Sequence, residues 1–327
     1  MDLIKEIHQF LKEEIDQMND LILKNLSVEE DLVKLVGSHI AKSGGKRIRP
    51  ILTLLSAKMF DCHEESRIKL AASVEFIHMA TLLHDDVVDE SKMRRFAPSA
   101  NIIWGNKASI LVGDFLFSQS FKLMVATKSI DALISLSGAS VLIAEGEVAQ
   151  LAKLKERKLI SEEEYTRIIG AKTATLFGAA CEVGVIAANQ SFINRSALRN
   201  FGFTLGTIFQ ISDDLLDYLS VSDVTGKNIG DDFFEGKVTL PVILLVKKLP
   251  IDLKNRLVKL MEDQERSVED LHWVVGLMNQ YDIKEEIFNY LQPFKISANQ
   301  SLLAISVENK CRKYLESLID FAANRSY

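Results

Sequence analysis

Leu3, Ile7, Leu11, Ile15, Met18 and Ile22 recur at intervals of three and four residues, a period that predicts one helix over residues 3 to 25. Ser27 with Glu30 three residues on reads as a capping box and predicts a second helix through Ala41, ended by Ser43, Gly44 and Gly45. Pro50 opens a helix through Met59 at a position where its missing N–H has no partner to lose. A fourth helix is predicted from about Ser66 to Asp89. Residues 106–127 and 130–154 read as buried helices. Residues 161–188 read as a helix with a capping box at Ser161 and Glu164 and a kink near Gly170; residues 194–220 form the next. A polar loop from Asp223 to Lys237 follows, and then helices broken near Pro250 and Pro293. Nothing reads as a strand, and no short repeat or low-complexity linker divides the chain. The expectation is therefore an all-α fold, a single helical-bundle domain over residues 1–327.

Composition narrows the class. Of 327 residues 47% are hydrophobic, enough for a large core, and only 5 are Pro and 16 Gly, which favours long helices. A formal net charge of -6 argues against nucleic acid as a partner. Cys62, Cys181 and Cys311 lack metal-ligand spacing; an odd number of thiols fits a reducing compartment, so a cytoplasmic location is expected. The acidic, amphipathic start does not resemble a secretory or transit peptide, and no apolar run is expected to be long enough to span a bilayer.

Two acidic stretches carry the candidate chemistry. In His84-Asp85-Asp86-Val87-Val88-Asp89, helical geometry sets Asp85 nearly over Asp89, with Asp86 beside them and His78 two turns back. Gln210-Ile211-Ser212-Asp213-Asp214-Leu215-Leu216-Asp217 repeats the spacing after another apolar run and puts Gln210, Asp213 and Asp217 on one face. Clustered carboxylates repel unless a cation holds them, and oxygen-only donors suit Mg2+, which also binds substrate phosphate. Lys46, Arg47, Arg49, Arg94, Arg95, Lys172, Lys227 and Lys237 fall in loops or at helix ends, as phosphate-binding cations would. Arg47 is set aside as a surface residue pointing away from Lys46 and Arg49. His78 is either a core histidine or a phosphate ligand. Met79, Leu82, Phe115, Phe117, Phe121 and Met124 are either core or the lining of a hydrocarbon tunnel. Glu145 and Glu147 stand in an apolar helix with no role assigned. With no nucleophile–base pairing and no phosphate-loop or dinucleotide fingerprint, covalent catalysis is not expected, and metal-assisted loss of diphosphate fits better.

These stretches together resemble the trans-isoprenyl diphosphate synthases, the polyprenyl synthetase family. The resemblance runs over roughly residues 30 to 300 and is carried by Gly-Gly-Lys-Arg-Ile-Arg-Pro at 44–50, Asp-Asp-Val-Val-Asp at 85–89, Met-Arg-Arg at 93–95, Lys-Thr at 172–173, the 210–217 stretch, and Gly-Lys-Asn-Ile-Gly-Asp-Asp at 226–232 with Glu-Gly-Lys at 235–237. Phe96 stands where the family has Gly. The resemblance implies helices around a deep central cavity, a homodimer, and head-to-tail condensation of isopentenyl diphosphate with an allylic diphosphate such as farnesyl or geranylgeranyl diphosphate. It implies that Lys46, Arg49, His78 and Arg95 bind isopentenyl diphosphate and that Arg94, Lys172, Lys227 and Lys237 grip the allylic diphosphate. It implies further that Thr173 and Gln210 face the reacting carbon and that Asp85, Asp86, Asp89, Asp213, Asp214 and Asp217 hold Mg2+, three ions per site with substrate bound.

Within that resemblance the small Ala80 and Thr81 ahead of Asp85 imply an open tunnel, with Phe121 and Met124 as candidates for its floor. The expected product is long, of octaprenyl type, made for quinone side chains and handed to membrane enzymes. The alternatives are a shorter farnesyl- or geranylgeranyl-type synthase, a terpene cyclase, or a non-catalytic subunit of a heteromeric synthase.

Overall fold

In the computed structural model, which describes residues 3–43, 45–94, 97–219 and 230–324, the bundle is built around one helix whose thirteen residues, Thr175–Ala187, are all buried. A helix this apolar has to be enclosed on every side, and its one charge, Glu182, is met by Ser135 and Arg199. This one, α10 in chain order, packs against α4 (Ile48–Lys58), α5 (Ser66–Val88), α8 (Ile130–Glu156) and α11 (Phe192–Leu219). The chain reaches them through α1 (Leu3–Phe10), α2 (Lys12–Leu26) and α3 (Asp31–Lys42). After α5 come a two-residue antiparallel pair, β1 (Met93–Arg94) with β2 (Ala97–Pro98), then α6 (Ala100–Trp104) and α7 (Asn106–Ala126), which lies along α5. The helix α9 (Glu162–Ile169) runs into α10 through a π-helical turn, Gly170–Ala174. Beyond α11 the chain continues as α12 (Asp231–Glu235), α13 (Leu240–Lys248), α14 (Ile251–Glu262), α15 (Val268–Gln280), α16 (Ile283–Leu303) and α17 (Lys310–Ala323).

The all-α expectation holds, with corrections of detail. The first apolar stripe belongs to two helices separated at Leu11. Ser27 is not the N-cap of a box: its hydroxyl donates back to the Leu23 carbonyl at 2.9 Å, closing α2, and α3 begins at Asp31 without a side-chain cap. The Ser161–Glu164 capping box is present. A short strand pair occurs where none was expected. Pro293 does not break α16. It is exposed, as is Asn289, whose carbonyl it leaves unbonded, so water can satisfy that carbonyl while Ile287, Leu291, Ala298 and Leu302 hold the inner face.

The expectation about membrane-length segments is also corrected. Among the described residues three helical stretches, Asn106–Ala126, Ile130–Glu156 and Glu162–Ala187, are long and apolar enough to cross a membrane by length and composition. For the third the reason is the core, since 89% of its apolar window is buried. The windows of α7 and α8 are only 44% and 33% buried, which leaves Leu111, Val125, Ile130, Ile134, Val141 and Val148 exposed.

Close approach of α10 and α11 depends on Gly202. A Cβ there would overlap the Phe177 carbonyl and come within 2.7 Å of Cys181 Sγ, so no side chain fits between the two helices. Gly276 on α15 has nothing within 4 Å of the same position. In an open helix, Gly→Ala stabilises by up to about 1 kcal/mol, whereas overpacking a tight contact costs about 1–3 kcal/mol. Thermal unfolding should therefore show Gly202→Ala lowering the melting temperature and Gly276→Ala holding or raising it. A Gly202→Ala protein as stable as the parent would contradict this packing.

Candidate active site

A cavity of about 730 Å³ opens between the start of α4, the C-terminal half of α5, α8, the π-helical turn, α11 and the segment from α12 to α13. Its walls carry carboxylates from two helices, Asp85 and Asp89 from α5 and Asp213, Asp214 and Asp217 from α11. The cations Lys46, Arg49, Lys172 and Lys237 line it as well, with His78, Thr173 and Gln210. Both acidic stripes fall at the inner ends of helices whose preceding turns are apolar, and packing of those turns sets the two stripes across one space.

The acidic side is unevenly buried. Burial pushes the Asp85 carboxyl above its ordinary range; Lys172 opposes the rise and Asp89 adds to it. Asp89 accepts a bond from Lys237 at 2.9 Å. Burial works against the charge on Lys237, but Asp232, Asp89 and Glu235 outweigh it and hold the ammonium above its usual pKa. Asp86 is not brought into this group. It is fully buried behind the cavity wall, where the Arg94 guanidinium donates to it through Nε at 2.8 Å and Nη2 at 2.6 Å. Consecutive helical residues point about 100° apart, so Asp85 faces the cavity and Asp86 the strand pair that carries Arg94. Arg94 is thereby held on the protein's own carboxylate.

On α11, Asp217 accepts from the Asp232 backbone N–H at 3.1 Å, which docks α12 against the cavity. Asp214 is only 4% exposed, and both its oxygens accept protein hydrogen bonds, from Tyr165 at 2.6 Å and Gln210 at 2.7 Å. Burial, reinforced by Asp232, raises its pKa to about 8. Cations beside Asp213 and Asp217 would favour its ionised form. Thr173 donates to the Gln210 amide oxygen at 2.8 Å.

The π-helical turn exists to present Lys172 and Thr173 together. One extra residue per turn swings both side chains to the cavity, and the Thr175 hydroxyl donates to the Gly170 carbonyl within the widened turn at 2.9 Å. Gly146 on α8 lets the turn approach, because a Cβ there would lie 2.7 Å from the Lys172 backbone nitrogen. Lys172 then reaches Glu147 at 2.7 Å and Gln150 at 2.8 Å. Burial, then the neighbouring Asp85, raises Glu147 to about 7.

At the other end, Arg49 donates to His78 Nε2 at 3.1 Å and stacks 4.6 Å over the Phe177 ring. As an acceptor at Nε2, His78 carries its ring proton on Nδ1. The Lys46 ammonium lies 5.1 Å over the Phe321 ring of α17. Arg47, expected at the surface, is instead drawn inward: it pairs with the buried Glu75 and donates to the Ala41 carbonyl at 2.8 Å, with a backbone φ of 49°. Arg95 and Lys227 lie outside the described residues.

Four residues were expected to govern a hydrocarbon tunnel. Thr81 lines the cavity, beside Leu82, Ile143 and Phe209. Ala80, 1% exposed, is in the core and does not line it. Met124 is fully buried, and Phe121 packs edge-on against Phe117 at 5.1 Å; neither reaches the cavity wall. Sequence reasoning missed Glu75, Gln150 and Tyr165, and gave no role to Glu147 or Asp232. The helical period would have separated Glu147 from Glu145: with Ile143, Gly146 and Gln150 it shares the inner face of α8, while Glu145 is exposed.

Among the described residues no three His, Cys, Asp or Glu side chains lie close enough to hold a metal ion by themselves. The donor set nonetheless fits hard divalent ions that complete their shells with phosphate oxygens: it is all oxygen, split over two facing walls, and flanked by Lys and Arg.

A model of the family described as polyprenyl synthetase matches residues 30–278. The octaprenyl diphosphate synthase of Escherichia coli (strain K12) is 43% identical over 240 residues, 73% of this chain and 74% of that protein. A polyprenyl synthase from Caulobacter crescentus CB15, crystallised with calcium and isoprenyl diphosphate, superposes with a TM-score of 0.95 at 37% identity, covering 99% of this chain and 98% of that one. A decaprenyl diphosphate synthase from Rhodobacter capsulatus superposes with a TM-score of 0.92 at 39% identity, over 99% of both chains. With a family model matched over most of its length and both acidic stretches facing one cavity, the chain belongs to the polyprenyl synthetase family of prenyltransferases.

Proposed function

We propose that this protein is a Mg2+-dependent long-chain trans-polyprenyl diphosphate synthase of octaprenyl type. The observation that carries the reading is the meeting of Asp85 and Asp89 with Asp213 and Asp217 across a cavity whose far end holds Lys46, Arg49 and His78. The likeness to octaprenyl and decaprenyl synthases supports a long product. When bound, the divalent ions supply positive charge to the oxygen of the departing diphosphate.

In this reading Lys172 and Lys237, with Arg94 and Lys227, hold the allylic diphosphate; Lys46, Arg49 and His78, with Arg95, hold isopentenyl diphosphate. The allylic C–O bond breaks and its electron pair leaves with the diphosphate. The isopentenyl double bond attacks the allylic carbon to form the new C–C bond, and one proton passes to the released diphosphate. The net products are a diphosphate longer by five carbons, inorganic diphosphate and a proton. Thr173 and Gln210 face the carbon on which positive charge develops.

A second copy of this chain is the partner that best fits the exposed apolar face of α7 and α8. Exposed Asp114 and Glu145 interrupt that face, and a carboxylate at mid-bilayer costs about 2.5–3.5 kcal/mol on insertion scales, so a protein surface suits it better than lipid. The three free, buried cysteines fit a reducing cytoplasm, and a membrane enzyme that prenylates a quinone ring is the natural acceptor of the product. Light scattering should give twice the chain mass of 36.7 kDa; a monomer at micromolar concentration would remove this partner.

The function is tested by incubating the protein with Mg2+, farnesyl diphosphate and labelled isopentenyl diphosphate, then separating the dephosphorylated products by chromatography. A linear prenol of about eight units is expected, and none with EDTA. A cyclic hydrocarbon, or no product, would contradict the reading. In the same assay Thr81→Phe, which puts a ring into the apolar wall, should shorten the product to the farnesyl or geranylgeranyl stage. An unchanged length would place the growing chain elsewhere.

A further inference from the structure

A buried chain of hydrogen bonds leads from the body of the bundle to the reacting end of the cavity. Tyr165 of α9 donates to Asp214 Oδ2 at 2.6 Å. Gln210, one turn before Asp214 on α11, donates its amide nitrogen to Asp214 Oδ1 at 2.7 Å. Thr173 donates to the Gln210 amide oxygen at 2.8 Å. Tyr165 is 2% exposed and Asp214 4%, and both meet the cavity wall beside Thr173 and Gln210.

The two ends of an amide have nearly the same shape and opposite electrostatic character. Beside a carbon that gains positive charge, an amide oxygen stabilises and an amide NH2 opposes. The orientation of Gln210 therefore matters to the rate, and its own shape does not fix it. Asp214 fixes it: the amide nitrogen is bonded to Asp214 Oδ1, and the carbonyl oxygen is left for Thr173 and the cavity. Tyr165 occupies the remaining carboxylate oxygen and so fixes the plane of Asp214. Tyr165 stands on a different helix from Gln210, which ties the amide to the turn that carries Lys172.

We infer that Tyr165 and Asp214 are positioning residues, which act through the Gln210 amide to hold its carbonyl oxygen toward the reacting allylic carbon. The inference rests on the proposed condensation. If the parent protein makes no prenyl product, that reading fails first; the inference is tested only by differences among variants that bind substrate.

Tyr165→Phe removes one hydroxyl. It should lower kcat by roughly tenfold, the size expected for one lost orienting bond, with KM for farnesyl and isopentenyl diphosphates within about twofold of the parent. The effect must run through Gln210, so in a Gln210→Leu background Tyr165→Phe should change kcat no further. A parental kcat in Tyr165→Phe, or the same loss repeated in the Gln210→Leu background, would overturn the inference. Asp214→Asn gives an independent arm by keeping the shape and removing the obligate acceptor. It should lower kcat while leaving the number of Mn2+ ions bound with farnesyl thiodiphosphate, counted by paramagnetic resonance, as in the parent. Loss of a bound ion would make Asp214 a metal ligand and overturn its assignment here.

Discussion

Like-charged carboxylates cannot share a buried cavity as bare anions, and much of this structure is arranged around that constraint. Two rows of Asp, on α5 and α11, face the same space. Three cations held near them have a carboxylate partner: Lys172 with Glu147, Lys237 with Asp89, Arg94 with Asp86. In the ligand-free protein these pairs compensate the acidic walls from within. A diphosphate carried by divalent ions offers each wall and each cation a better partner at once. That accounts for a site rich in both signs of charge rather than one.

The apolar scaffold serves the same end. The fully buried α10 packs on both α5 and α11, with Gly202 setting its approach to α11, and its N-terminal extension, the π-helical turn, delivers Lys172 and Thr173 to the carboxylates. Gly146 lets α8 come close enough for Glu147 and Gln150 to meet Lys172. Packing and chemistry are thus coupled at two glycines, both on helices that a Cβ would push apart.

What could be read from the sequence was what helical period dictates. Repeated Asp-Asp-x-x-Asp spacing set Asp85 with Asp89 and Asp213 with Asp217, and the structure has them on facing walls. Period alone did not separate neighbours. Asp86 and Asp214 each follow a cavity-facing Asp, yet one is enclosed by Arg94 and the other by Tyr165 and Gln210. Long-range partners were invisible: Arg47 looked like one more surface cation because Glu75 lies 28 residues away, and Tyr165 belongs to no recognisable pattern. Ala80 was read as a tunnel residue from its small size ahead of Asp85 and Phe121 and Met124 from their spacing on the next helix, yet Ala80 and Met124 lie in the core. Local signals failed where a competing bond won, as at Ser27, or where solvent could satisfy a carbonyl, as before Pro293.

Binding of Mn2+ followed by paramagnetic resonance, with and without farnesyl thiodiphosphate, tests most directly whether the two Asp walls serve one assembly. Because no three carboxylates form a cage among the described residues and Lys237 is held on Asp89, Mn2+ alone should bind weakly, and the non-ionising diphosphate should tighten it by at least about tenfold. Asp85→Asn and Asp213→Asn should each reduce the ions bound in that ternary complex. Tight Mn2+ binding without diphosphate, or an unchanged number of ions in both variants, would contradict a shared site.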